Sequence, residues 1–95
     1  MIIWRKRATR QFLSMLDWLT QEGYQKAADS LIVRTDEIAQ KVHARPEIGK
    51  PSRTFKSVRS YRIDEHRRLY YSVKGKKLFV VAVLDGRQNP DRNPY

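Results

Sequence analysis

The residues best equipped for chemistry lie in the last third of the chain. They are Arg68 and Tyr70 in the run Arg67-Arg68-Leu69-Tyr70-Tyr71, and Arg87 in the ending Leu84-Asp85-Gly86-Arg87. A guanidinium matches phosphate through paired N–H donors, so Arg68 and Arg87 form a phosphate-sized socket if their side chains converge. Metal-free cleavage of RNA needs such cations for the developing charge, a base for the 2′-hydroxyl and an acid for the leaving oxygen. The cations are plentiful; the acid and base are not obvious. His66 falls in a charged turn, where an imidazole is ordinarily just solvated. His43 falls near a helix C-terminus, where a cation is favoured by the dipole. Tyr95 can donate a proton only if the tail folds back, and Tyr70 is more often a packing residue than a catalyst. Two histidines with no cysteine and no acidic cluster make no metal constellation. Four scattered glycines make no phosphate-cradling loop. No metal or cofactor is expected.

These side chains must be held by a sheet. In Arg68 to Val73, Leu69, Tyr71 and Val73 alternate with Arg68, Tyr70 and Ser72, which places the first set on one face and the second on the other. Leu78 to Leu84 is apolar on both sides, as a strand covered on both faces would be. Around Thr54 to Ile63 the pattern is mixed, and Arg59 and Arg62 lie on opposite faces of that strand. Only one of them can join Arg68, and register decides which. Asp64-Glu65-His66 joins the first two of these strands, and Lys74-Gly75 the next two, with glycine supplying the positive φ of a tight hairpin. For each arginine the competing role is a surface charge that keeps sheets from aggregating; for Arg87 it is an ion pair with Asp85 or Asp91.

The front half must brace that sheet. Ile2 to Arg5 reads as a short strand. Ala8 to Glu22 has helical spacing, with Phe12, Met15, Leu16 and Leu19 in one stripe and Gly23 placed to end it. Gln25 to Ala44 repeats Ala28, Leu31, Thr35, Ile38 and Val42 at intervals of three and four until Pro46 stops it. The segment 45–53, with Pro46, Gly49 and Pro51, reads as an ordered loop, and the tail 88–95 as irregular. The expectation is an α+β fold, strand-helix-helix-strand-strand-strand, with a helical hairpin packed on one face of an antiparallel sheet.

Ninety-five residues make one domain, 1–95. The net charge of +10 is uneven: residues 1–49 carry eight Lys/Arg against six Asp/Glu, residues 50–95 twelve against four. Such a chain wants an anionic partner. The start of the chain reads as neither signal peptide nor membrane span, and the lack of cysteine fits a reducing cytoplasm.

The order of elements, the loop Pro46-Glu47-Ile48-Gly49-Lys50-Pro51, the pair Val58-Arg59, the block Arg68-Leu69-Tyr70-Tyr71 and the ending Val83-Leu84-Asp85-Gly86-Arg87 together resemble the RelE/ParE toxins, also called plasmid-stabilisation proteins. The resemblance implies a toxin of a type II toxin-antitoxin module, neutralised by a cognate antitoxin that wraps it with a helix and an extended segment. RelE-like members cut messenger RNA in the ribosomal A site; ParE-like members inhibit DNA gyrase. Arg68 and Arg87 match the positions that in RelE-like toxins stabilise the scissile phosphate. Arg59 and Tyr61 stand where those toxins carry lysines, and Asp85 where many relatives carry histidine. An acid there repels phosphate and is no substitute for imidazole as a base. These departures, and the long helical hairpin, lean to the ParE side. The alternatives are a metal-independent endoribonuclease acting through Arg68 and Arg87, and a non-catalytic nucleic-acid-binding module. The residues expected to meet the target are Arg59, Arg62, Arg67, Arg68, Tyr70 and Arg87, and no membrane is expected as a partner.

Overall fold

The computed structural model describes residues 1–88 and 93–95. Strand β1 (Ile2–Trp4) leads into helix α1 (Lys6–Gln21) and helix α2 (Gln25–Ala44). A 3-10 turn (Pro46–Ile48) and a short strand β2 (Lys50–Pro51) follow, then β3 (Val58–Arg62), β4 (Arg67–Lys74) and β5 (Lys77–Asp85). The sheet order is β1-β5-β4-β3-β2. The last three long strands form the expected antiparallel meander. The sheet is nevertheless mixed, because β1 runs parallel to β5, with Ile2, Ile3 and Trp4 opposite Leu78, Phe79 and Val80. Part of the expected loop is a strand as well: Lys50 and Pro51 pair antiparallel with Ser60 and Arg59. Proline is tolerated there because an edge position spares its missing N–H.

Helix α1 ends where the sequence predicts. Gly23 takes φ 83°, and the N–H of Tyr24 bonds back to the Leu19 carbonyl at 2.7 Å, satisfying a C-terminal carbonyl in the manner of a left-handed cap. The hairpin lays one face on the sheet. Ala8, Leu19, Ala28, Leu31, Ala39 and Val42 meet Leu69, Tyr71, Leu78, Val80 and Val83, with Phe12, Met15, Leu16 and Ile38 at the margins. Each fully buried valine or leucine side chain here contributes roughly 1.5–3 kcal/mol of transfer free energy. Val73, expected beneath the helices, is exposed, because β4 carries it to the hairpin end beside Lys74.

Two local devices aim the functional side chains. At the β3–β4 turn the Asp64 carboxylate accepts the N–H groups of His66 and Arg67, both at 2.9 Å, and the Arg67 guanidinium at 3.0 Å. This pins the turn and hence the register that sets Arg62 opposite Arg68. In β5 a bulge interrupts pairing: Tyr70 faces Ala82 and Tyr71 faces Val80, so Val81 is the extra residue. The bulge lets Val80 and Val83 both reach the helix side while Ala82 joins Val58 and Tyr70 on the other.

Candidate cationic site

At the end of the sheet where β3 stops and β4 begins, Arg62 and Arg68 are direct cross-strand partners. Register therefore selects Arg62, and Arg59 goes to the helix side, where its Nη1 donates to the Gly49 carbonyl at 2.8 Å. Two like charges opposite each other are unfavourable. Each is steadied through its Nε: Arg68 donates to Ser60 Oγ at 3.1 Å, and Arg62 to the Asp64 carbonyl at 3.1 Å. Both arginines line a cleft of about 450 Å3 together with His66, Tyr70, Arg87 and Asn93. The cleft gathers cations, an imidazole and a phenol in one place.

Arg87 enters that cleft with its charge already matched. Its Nε donates to Asp85 Oδ1 at 3.1 Å and its Nη2 to Oδ2 at 2.8 Å, and its backbone N–H adds a third bond to Oδ1 at 2.9 Å. Asp85 has a side chain only 5% exposed, and it also faces the Nε of Arg67 at 3.8 Å. The hydrogen bonds from the Arg87 side chain, helped by its backbone N–H and by the Arg67 charge, outweigh burial and hold the Asp85 carboxyl below the ordinary range. Burial would push the neighbouring Asp64 carboxyl up. The bonds from His66 and Arg67 overcome that and leave it below its ordinary value too. Asp64, Arg67, Asp85 and Arg87 thus form an alternating chain of charges locking the corner of the sheet.

Of the side chains named from the sequence, Arg62, Arg68, Tyr70 and Arg87 come together in one cleft. Arg59 and Arg67 do not. Arg67 is committed to Asp64 and Asp85 with its side chain 13% exposed, and Arg59 buttresses the Pro46–Gly49 loop. Residues 93–95 do fold back onto the sheet. Tyr95 stacks on Tyr70 at 4.9 Å between centroids, its carbonyl accepts from Ser52 Oγ at 3.2 Å, and Asn93 donates to the Tyr70 hydroxyl at 3.0 Å. Tyr70 is consequently buried, with ring and hydroxyl both engaged. The proposed Asp91 partner of Arg87 lies outside the described residues.

A family model described as the ParE toxin of the type II toxin-antitoxin system parDE matches residues 2–90. The chain belongs to the ParE toxin family. It is therefore the toxin of a type II toxin-antitoxin system, and membership implies a cognate antitoxin. Solved structures with similar folds include the chromosomal ParDE system from P. aeruginosa (16% identity, TM-score 0.74), covering 88% of this toxin and 92% of that chain. A YoeB/ParE toxin from Agrobacterium tumefaciens (16% identity, TM-score 0.64) covers 88% and 95%. The YoeB dimer from Staphylococcus aureus (16% identity, TM-score 0.61) covers 85% and 90%. At such identity these three establish the fold alone. No curated protein sequence matches this toxin. No helix of the toxin among the described residues is long and apolar enough to cross a membrane.

The toxin also holds cations that the sequence did not single out. Arg34 and Lys41 on α2 and Lys50 on β2 line a second cleft, of about 610 Å3, on the far side of Arg62 and Arg68. The available signal was the spacing Arg34, Ile38, Lys41, which puts two cations and an apolar residue on one helix face.

Proposed function

We propose that this toxin acts by binding rather than by cutting, and that it inhibits DNA gyrase in the cytoplasm through the cationic end of its sheet. The observation that carries the reading is the two-pronged grip of Asp85 on Arg87. Metal-free phosphodiester cleavage needs cations free to follow charge onto the phosphate. Here one of the two candidate cations is neutralised by a carboxylate standing where a base would be required. Arg62 and Arg68 remain as a charged pair suited to seizing an acidic surface. In a supercoiling assay with purified gyrase, the toxin is expected to suppress activity near stoichiometric amounts, and Arg68→Ala to weaken that effect by about tenfold. Full supercoiling at a large molar excess of folded toxin sinks the proposal.

A second reading has its own support. The cleft that holds Arg62 and Arg68 is also lined by the His66 imidazole. In a RelE-like toxin His66 and Arg68 would serve as base and phosphate-stabilising cation on ribosome-bound messenger RNA. Primer extension on messages from induced cells separates the two readings. Cuts at A-site codons that vanish in His66→Gln would establish cleavage, and intact messages in growth-arrested cells would exclude it.

A further inference from the structure

A third cavity, of about 480 Å3, lies between α1 and the end of β5, where β1 stops short. Its volume is in the range of about 300–1,000 Å3 usual for small-molecule sites. β1 runs along β5 only as far as Val80, whose carbonyl accepts the Arg5 N–H at 3.0 Å before the chain turns away into α1. Further along the same edge of β5, the Val83 N–H is met by the Gln11 side-chain carbonyl at 3.0 Å. That bond fixes the Gln11 amide and leaves its NH2 group to donate. Ser14 adds a hydroxyl from the next turn of α1, and Met15, Trp18 and Val83 supply an apolar wall. Trp18 is 52% exposed, and a large indole left half in water beside a cavity has a face free for stacking. The inner end of the cavity is electrostatically settled, since Arg87 engages both carboxylate oxygens of Asp85. The uncompensated charge lies at the other end. On α1, Arg7, Gln11, Ser14 and Trp18 follow one another at intervals of four, three and four, and so share a face, with Arg10 beside it one turn before Ser14. Arg7 and Arg10 are exposed, and neither forms an ion pair among the described residues. The first turn of α1 holds no acid, and Asp17, the one acid of the helix, is two turns beyond Arg10.

We infer that this cavity binds a free nucleoside 5′-monophosphate, with the base on Trp18 and the phosphate at Arg7 and Arg10. Three parts of the lining match three parts of that ligand class. The Trp18 indole, with Met15 and Val83, takes the flat face of a base, and such stacking tolerates any base. The Gln11 NH2 and the Ser14 hydroxyl stand where the base edge presents ring nitrogens and carbonyl oxygens. Arg7 and Arg10 lie about one helical turn, ~5.4 Å, before Gln11 and Ser14, a gap for the ribose to span, and guanidinium groups pair with phosphate oxygens. The phosphate is thereby held away from Asp85. An acyl chain would leave the Gln11 and Ser14 donors unused, and a bare anion would leave the apolar wall unused. Two guanidinium groups suit a single phosphate. Arg5 does not extend them into a track for a strand, because it reaches over the Phe79 ring at 4.4 Å, on the sheet face opposite Leu78 and Val80.

The test titrates the purified toxin with AMP, GMP, CMP and UMP by calorimetry, and follows the indole N–H signals of its two tryptophans by NMR. At least one nucleotide is expected to bind once per chain with a Kd below about 1 mM. The Trp18 signal is expected to move, and that of Trp4, which packs on Phe12, to stay. Trp18→Ala is expected to weaken binding by about tenfold or more, and Trp18→Phe by less. Arg7→Ala with Arg10→Ala is expected to weaken the nucleotide by about tenfold and leave the affinity for its parent nucleoside unchanged. Melting of each free variant shows that it folds; if Trp18→Ala does not, the arginine pair and the indole signals decide. The inference falls if none of the four nucleotides binds, if folded Trp18→Ala binds as well as wild type, if the arginine pair changes nothing, or if the Trp4 signal moves in place of Trp18. Inorganic phosphate binding as tightly as the nucleotide would make Arg7 and Arg10 an unspecific anion patch and overturn the inference. Binding of a single-stranded oligonucleotide alone, with no mononucleotide bound, would overturn it as well.

Discussion

Asp85→Asn is the most informative single substitution. Asparagine keeps the shape of the side chain but removes the charge that Arg67 and Arg87 share. At about 4 Å and an effective dielectric near 20, the attraction between Arg67 and Asp85 is worth roughly 4 kcal/mol before desolvation. Removing one member of a buried ion pair typically costs about 3–5 kcal/mol, because the remaining charge is stranded. Arg67 retains Asp64 at 3.0 Å, so the lower end, about 3 kcal/mol, is the expected loss. Total stability of a domain this size is about 5–15 kcal/mol. With a urea m-value of about 1–3 kcal/mol/M, the midpoint should fall by roughly 1–3 M. Arg87→Ala removes a side chain that is 54% exposed and should cost far less. The pH dependence gives a second check. The Asp85 carboxyl is held below its ordinary value of 3.8 in the folded state, so its contribution is complete above that value. The contribution drains away as pH falls through 3.8 to the lowered folded value. The gap between wild type and Asp85→Asn should therefore be full at pH 7 and shrink at pH 3. An Asp85→Asn protein within about 1 kcal/mol of wild type at neutral pH, or an Arg87→Ala variant just as unstable, would refute the view that Asp85 clamps the corner.

Other outcomes follow from packing. Gly49 has ordinary extended backbone, but a Cβ there would land on the Tyr71 phenol, whose hydroxyl donates to the Pro46 carbonyl at 2.6 Å. Gly49→Ala should cost about 2–4 kcal/mol through overpacking and the strained hydrogen bond. Urea titration should show a smaller cost in a Tyr71→Phe background; equal costs in both would break the link. Tyr95→Ala should lose about 1–2 kcal/mol of stacking and burial over Tyr70, and an unchanged melting midpoint would mean the tail contributes nothing to the sheet.

The helical hairpin and the meander were legible because they rest on local signals. The stripes Phe12–Leu19 and Ala28–Val42 declare their faces, and Gly23 marks where the chain reverses. Strand β1 was visible but not placeable, since three residues running parallel to β5 are fixed only by contacts more than seventy positions away. Strand β2 was hidden inside a segment rich in proline and glycine, whose two paired residues carry no periodicity. The cationic site was half legible. Alternation separated Arg68 from Leu69 and Tyr71, but the choice between Arg59 and Arg62 awaited the register that the Asp64 turn imposes. The grip of Asp85 on Arg87 could be named as a possibility from proximity in sequence, but that Arg67 also faces Asp85 could not. The second cleft left only the Arg34, Ile38, Lys41 spacing as a signal, because its charges come from four separate elements.

Under the proposed function, this toxin poisons gyrase without cutting RNA. The topology of a reporter plasmid in cells expressing the toxin alone tests it most directly. Loss of negative supercoiling as growth stops, restored when the neighbouring antitoxin is co-expressed, is the predicted result. Growth arrest with plasmid supercoiling intact would contradict it.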